Sequence, residues 1–511
     1  MTKEKQIKLF GGGVLSEKEV FQRLQENFTH QYKETFHDKK AAKTVVVIPS
    51  LTLDPEILAK IQGIVHYEER LLCLLLLLRM PRTHIVYITS TPINPVIIDY
   101  YLHLLPGITG EHARQRMHFF SCYDTSSVSL TEKILARPRL MKRILDAIPA
   151  GHLAHLACFN VAEAERQLAF KLGLPVYGCD PDLLYWGTKS GSREIFKECG
   201  VDIPPGFENL QNEEQIITAL AELYRTNPGI QKAVIKMNDG FSGEGNAIFC
   251  YDKIENGDSV EVQIQQLLPE ELEIVASDLS YHQYITKFTS MGGIVEVFID
   301  APHKASPSVQ CRINPLGKID IISTHDQLMG GPDGQVFLGG TFPADKAYSV
   351  AVADLGKKIS EAMKKRGVLG RFGVDFLSVE ENGNWKHYAI EINLRKGGTT
   401  HPYIMLQFLT NGDYNSDTGK FILPDGNEKC YVFTDNLQDN RFKGLTPEDL
   451  MDIAMLNGLH YDNTKEEGVM FHLIGALSQY GKLGLVCIAS TLERAKYFYD
   501  ETVKVLNAEC C

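Results

Sequence analysis

The stretch GRFGVDFLSVEENGNWKHYAIEINLRKGGTTHPY, Gly370 to Tyr403, decides how the chain is read. Val374, Phe376 and Val379 make residues 371–379 strand-like, and residues 387–394 alternate in the same way. In the second strand a period of two puts His387, Ala389, Glu391, Asn393 and Arg395 on one face. Tyr388, Ile390, Ile392 and Leu394 take the other, apolar face. The turn between the strands decides what Asp375 faces. A two-residue Asn382-Gly383 turn with regular pairing sets Asp375 opposite Ile390, on the apolar side. A three-residue loop or a bulge sets it opposite Glu391, with Gly373 opposite Asn393. Directly opposed carboxylates lie about 5 Å apart and repel, and a divalent cation turns that repulsion into coordination. Oxygen-only ligands from few protein groups suit Mg²⁺, which shares its shell with phosphates. Taken alone, the pattern also fits a surface hairpin with a solvated charged face.

The totals narrow the classes. A chain of 511 residues has room for about three domains at ~150 residues each. Its composition is ordinary globular, with 44% hydrophobic and 23% charged residues. A net charge of -12 argues against a general nucleic-acid binder or an anionic-membrane binder, and leaves room for a local anion pocket. The 11 cysteines form no CxxC pair, so neither a zinc site nor a disulfide framework is expected. Scattered cysteines and an N-terminus without an apolar signal core point to a cytoplasmic protein. The run Leu71 to Leu78 is far short of the ~20 residues that span a bilayer, and reads as the end of a buried helix.

Along the chain, residues 45–49, 84–90, 117–123 and 155–159 are strand-like. Helix-like runs at 55–80, 95–105, 130–148 and 162–172 alternate with them. This alternation predicts a parallel, doubly wound sheet, and no GxGxxG marks a dinucleotide site in it. A different pattern begins near Asp180. Lys189 stands at the start of a helix that runs to Cys199. Lys236 ends a strand just before the loop Gly240 to Asn246, whose glycines let backbone N–H groups approach phosphates. Thr324-His325-Asp326-Gln327 reads as turn and cap residues, and residues 344–365 as a helix leading into the opening stretch. From about residue 416 a further small α/β pattern follows, with strands at 470–477 and 483–489 and a helix at 492–506.

A lysine at a helix start, a lysine before a glycine-rich loop and a carboxylate strand pair, in that order, resemble the ATP-grasp superfamily of carboxylate–amine and carboxylate–thiol ligases. The blocks NDGFSGEGNA, SPSVQ…STHDQ…GGPDGQVFLG, EINLRKGGTTHP and GLHYD…GVMFHLIGAL…GKLG are similar to those of the pheganomycin type of peptide ligase. The resemblance implies an α/β protein of three parts: a Rossmann-like pre-ATP-grasp domain at 1–180, the ATP-grasp domain at 181–415, and a small C-terminal α/β domain at 416–511. It implies that Lys189 and Lys236 hold the phosphates of ATP beneath a loop containing Ser242, Gly243, Gly245 and Asn246. Glu296, Val297, Phe298 and Ile299 would form the hinge edge that reads adenine. Asp375, Glu391 and Asn393 would hold Mg²⁺, Arg395 would grip the transferred phosphate, and Arg371 would bind the same anion.

The activity so implied is ATP-dependent joining of an amino-acid or peptide carboxylate to an amine through an acyl phosphate, giving ADP and phosphate. Rival readings are a nucleotide sensor or scaffold on the same fold, and a ligase with a non-amine acceptor. Small-molecule or peptide substrates are the expected partners. Nucleic acid and membrane are not, and a homodimer is the default assembly.

Overall fold

Branched and apolar runs build the first sheet. Lys43–Ile48, Thr83–Thr89, Met117–Ser121 and Leu153–Cys158 pair in parallel in the spatial order third, second, first, fourth. Val46, Val47, Ile85, Val86 and Leu156 are buried, as strands covered by helices on both faces must be. The order reverses between the first and fourth strands, so Ile48 and Cys158 end at the switch point where open sheets take ligands. The computed structural model describes residues 15–35, 38–53, 55–240, 245–255, 259–276, 279–330 and 336–510.

Two expected helices are broken for local reasons. The run 55–80 divides into Pro55–Lys60 and a tighter helix, Ile64–Arg79, because Gly63 turns left-handed at φ 69. The run 130–148 divides into Leu130–Leu135 and Pro138–Asp146. Proline lacks the N–H that would continue a helix but fits the first position of a new one. Leu71, Leu72, Leu75, Leu76 and Leu78 are all in the core.

The second sheet is antiparallel, ordered Gly206–Leu210, Gly293–Val297, Lys232–Met237, Asn246–Cys250, Glu273–Ile274. Ile235, Phe249, Tyr284, Phe288 and Leu220 pack it against its helices. The third sheet has nine strands among the described residues. It runs Lys304–Ala305, Gly370–Glu381, Pro307–Ile313, Ile319–Gly330, Val336–Phe342, Cys430–Gln438, Lys482–Ala489, Gly468–His472, with Asn384–Asn393 also paired to Gly370–Glu381. Helix Ser349–Lys365 lays Val352, Ile359 and Met363 against Val309 and Cys311. The three tail strands therefore continue this sheet, with Gly340 opposite Phe433, rather than closing a sheet of their own. The strand expected over 470–477 ends at His472, where Leu473 turns to φ 54.

The carboxylate hairpin combines both turn alternatives. Glu381 pairs with Asn384 across a two-residue turn whose Asn382 and Gly383 have φ 53 and 79, the mirror-image turn that suits twisted hairpins. A bulge then lies between Asp375 and Phe376: Phe376 faces Ala389, and Asp375 faces Glu391 with Ile390 left over. Gly373 faces Asn393. The bulge also corrects the face assignment. Glu391 and Asn393 stay off the core, but Ala389 is 1% exposed and packs with Ile392 in it, because the extra residue shifts the period of two.

Candidate active site

Local capping sets the first lysine. Thr188 Oγ1 accepts from Gly191 N at 3.1 Å and starts helix Lys189–Glu198. Gly191 is needed there because a Cβ would stand 2.1 Å from the Tyr185 carbonyl oxygen. Asn238 ties this helix start to the end of strand Lys232–Met237: its Oδ1 accepts from Ser190 N at 2.9 Å, and its carbonyl accepts from Lys189 N at 3.3 Å. Lys189 Nζ then lies 2.8 Å from Glu391 Oε1. Lys236 Nζ lies 2.7 Å from Glu296 Oε1, and the other oxygen of buried Glu296 accepts from Arg193 Nη1 at 2.7 Å.

Asp375 and Glu391 sit side by side in unlike company. Gln327 Nε2 donates to Asp375 Oδ1 at 2.7 Å, and Asn393 Nδ2 to Oδ2 at 2.8 Å. Burial first, then the charge of Glu391, pushes the Asp375 carboxyl up to about 7, against the pull of Gln327, Arg395 and Lys189. Burial also disfavours the Glu391 anion, but Lys189, Arg395 and Lys236 together outweigh it and hold that carboxyl below its ordinary value. Three cations thus converge on Glu391. Two opposed carboxylates that strain against joint ionisation, each still reached by solvent, fit a divalent cation. Asn393 adds an oxygen when its amide is turned the other way, an orientation assigned from hydrogen bonding. The donor set is all oxygen and fits Mg²⁺.

Arg395 is the least engaged cation of the group. Its Nη1 donates to the Lys396 carbonyl at 3.2 Å, and among the described residues no carboxylate pairs with it. Glu391 and Asp375 act on it at longer range, and Arg70 opposes them. Arg371, expected to share an anion with Arg395, faces Arg312, Tyr403, Tyr177 and Cys73.

The hinge residues differ from expectation too. Glu296 is taken up by Lys236 and Arg193. Val297 N donates to Pro205 O at 2.8 Å, and Phe298 N to Lys232 O at 3.0 Å. Those two N–H groups are therefore occupied within the sheet. Gly245 and Asn246 close the strand-to-strand loop, with Asn246 opposite Lys236 and Gly245 O accepting from Met237 N at 3.0 Å. Ser242 and Gly243 lie outside the described residues.

Sequence reasoning passed over several members of the site. Gln327, read as a turn residue, lies in strand Ile319–Gly330 and holds Asp375. Its neighbours have structural roles: His325 meets the Tyr431 hydroxyl at 2.7 Å, and Asp326 accepts from Tyr348 Oη at 2.8 Å. Arg70 comes from the leucine-rich segment and pairs with Asp435 at 2.7 Å; Asp435 also meets His472 Nε2 at 3.0 Å and His401 Nε2 at 3.4 Å. No local motif marks these contacts, because they join different elements, from 22 positions apart for Asp326 and Tyr348 to 365 for Arg70 and Asp435.

The region from 183 to 417 matches, in two segments (183–277 and 258–417), the sequence model of the family described as IQCH-like, ATP-grasp. That region is of the ATP-grasp type. Residues 449–502 match a second family, described as the PGM1 C-terminal domain, in the tail. Among curated relatives, the L-propargylglycine–L-glutamate ligase of Streptantibioticus cattleyicolor is 27% identical over 472 residues, covering 90% of this chain and 94% of that one. The IQ motif-containing protein H of Danio rerio is 22% identical over 523 residues, which are 93% of this chain and 49% of that protein. Of solved structures, the ADP complex of N5-carboxyaminoimidazole ribonucleotide synthetase aligns with a TM-score of 0.52 at 13% identity, over 92% of this chain and 98% of that one. The biotin carboxylase domain of Hydrogenobacter thermophilus 2-oxoglutarate carboxylase, with MgADP, ADP and bicarbonate, gives 0.52 at 14% identity, over 90% and 89%. At these identities the two structures speak for the fold. The expected fold class, a parallel-sheet domain before an ATP-grasp core, is borne out, and no helix among the described residues is long and apolar enough to cross a membrane.

Proposed function

We propose that this protein joins a carboxylate to an amine, with ATP converted to ADP and phosphate. The observation that carries the reading is the opposed pair Asp375 and Glu391, with the charges of Lys189, Lys236 and Arg395 all acting on Glu391. A carboxylate is a poor electrophile, and phosphorylation gives it a leaving group. The site contains what phosphoryl transfer needs, which is positioning and charge rather than a protein nucleophile. Lys189 and Lys236 hold ATP phosphates, exchanging their glutamate partners for phosphate oxygens. Arg395, with no carboxylate of its own, grips the phosphoryl group in flight. Asp375, Glu391 and Asn393 hold Mg²⁺, which when bound neutralises phosphate charge. Gly397 N already donates to Thr400 Oγ1 at 3.1 Å, whereas the buried hydroxyl of Thr399 has no partner, so Thr399 is the donor offered to the acyl group.

The ligase relative lends support, since its name records the joining of L-propargylglycine to L-glutamate. Amino acids and short peptides are accordingly the substrate class proposed here. Incubation of the protein with ATP, Mg²⁺ and amino-acid mixtures is expected to yield ADP and phosphate in step with a new amide, followed by mass spectrometry. Formation of AMP and pyrophosphate would show adenylate chemistry and end this reading. Glu391→Gln is expected to lower kcat by about 10²- to 10³-fold with the fold retained; a fully active variant would remove Glu391 from the metal site.

A further inference from the structure

Beyond Arg395 the hairpin presents a second pair of cations that the phosphate chemistry does not use. Lys396 follows Arg395 directly, and its side chain turns the other way, to the carbonyl of Cys158 at the carboxyl end of the fourth parallel strand. Its backbone N donates to Phe159 O at 3.1 Å, which fixes the residue against the switch point of the first sheet. Arg371 stands on strand Gly370–Glu381 opposite Arg312, and its charge acts on Lys396. Among the described residues the Arg371 side chain has neither a hydrogen bond nor an ion pair.

Among the described residues no carboxylate pairs with either side chain. Arg312 brings its own carboxylate, with Asp320 Oδ2 2.7 Å from its Nη2, and Lys318 also lies 2.9 Å from Asp320. The remaining neighbours are Cys73, Cys158, Tyr177 and Tyr403, and burial keeps each of them neutral by raising its pKa. Two enclosed cations without a counter-charge are costly unless something else supplies one. Both residues remain partly open to the cleft, so an anion can reach them.

We propose that Arg371 and Lys396 form a carboxylate subsite for the amine-bearing substrate, which is therefore an amino acid or a peptide rather than a simple amine. This rests on the ligase reading above. Lys396 directly follows Arg395 and is held at the switch point of the first sheet through Cys158 and Phe159, so the pair adjoins the proposed phosphoryl site without being part of it. A substrate carboxylate bound there supplies the missing counter-charge. The amine then attacks the acyl carbon, phosphate leaves with the electron pair of the breaking C–O bond, and the amine's proton passes to solvent or phosphate.

The test uses the full-length protein and a mixture of the twenty amino acids with their C-terminal amides. Ligand-observed NMR without ATP is expected to show one or more amino acids bound and the matching amides not bound. Arg371→Met and Lys396→Met are expected to weaken that binding by about ten-fold or more, with Mg-ATP affinity unchanged, and Arg371→Lys is expected to restore part of it. Amides bound as well as acids, or acids bound equally by the methionine variants, would overturn the subsite. If the methionine variants do not fold, the amide comparison in the native protein decides alone. Amino-acid binding that depends on Arg371 in a protein that forms no amide from ATP would instead refute the ligase reading and leave the subsite standing.

Discussion

Asp375 and Glu391 show how far single residues can be read from a sequence. Their placement on one face follows from strand period, and their chemistry follows from being carboxylates in contact. Glu296 was legible as a strand residue and, through the family resemblance, as part of the hinge edge, but not as a buried ion-pair partner. Its buried bonds to Lys236 and Arg193 depend on two other segments, and nothing local announces them. Glu68 was likewise invisible, and it carries a pH prediction. Its carboxylate oxygens each lie 2.6 Å from a Ser90 donor, the N–H and the hydroxyl, yet burial raises its carboxyl to about 7. Below about pH 4.5 the group is protonated in both the folded and the unfolded chain. Between there and pH 7 the unfolded chain has released the proton that the fold still holds, so stability falls as pH rises, and above 7 the loss is constant. Glu68→Gln removes this dependence. Urea titrations at pH 5 and pH 8 should therefore show the variant gaining on the native protein at the higher pH. A variant that falls further behind the native protein at pH 8 than at pH 5 would contradict the assignment.

At the scale of elements, the hairpin owes its register to two devices, a turn and a bulge. The Asn382-Gly383 pair is a strong sequence signal, and it was read correctly as one of two outcomes. A bulge was one of the alternatives the sequence left open, but its place at Ile390 was not legible, because an isoleucine suits either an apolar face or a half-covered bulge, and only the packing of Ala389 and Ile392 in the core chooses. The broken helices at Gly63 and Pro138 were more accessible, since both breaks lie at residues known to interrupt helices. Gly383→Val tests the division of labour within the hairpin. A β-branched side chain at φ 79 strains the turn by about 1–2 kcal/mol. The bulge and the strand pairing of Gly373 with Asn393 still hold the carboxylates. Urea unfolding should shift to lower denaturant while kcat with the identified substrates is kept. A loss of activity equal to that of Glu391→Gln would mean that the turn itself sets the site.

The whole molecule is held by the segment Ile64–Arg79, the leucine-rich run that in the sequence resembled only the end of a buried helix. From it Tyr67 accepts from Lys482 at 2.8 Å, Glu69 accepts from Gly475 N at 3.1 Å, and Arg70 pairs with Asp435. One hydrophobic core runs from the first sheet through helix Thr400–Thr410 into the tail strands, with Leu75, Leu406 and Val486 all buried in it. Sheet pairing across some ninety positions, such as Gly340 with Phe433, leaves no periodic trace, which is why the tail read as a separate unit. The Arg70–Asp435 pair is where this architecture meets the chemistry, because Arg70 also acts on Arg395. Arg70→Met leaves a buried carboxylate with only histidines for company and should cost about 3–5 kcal/mol, read as a fall in the urea midpoint. Adding Asp435→Asn removes the orphaned charge, so the double variant should recover part of that loss, a coupling that a double-mutant cycle measures. Activity should stay low in both, since neither restores the cation beside Arg395. Additive losses, with no recovery in the double variant, would show that the two residues stabilise the protein independently and that the tail is not anchored through this pair.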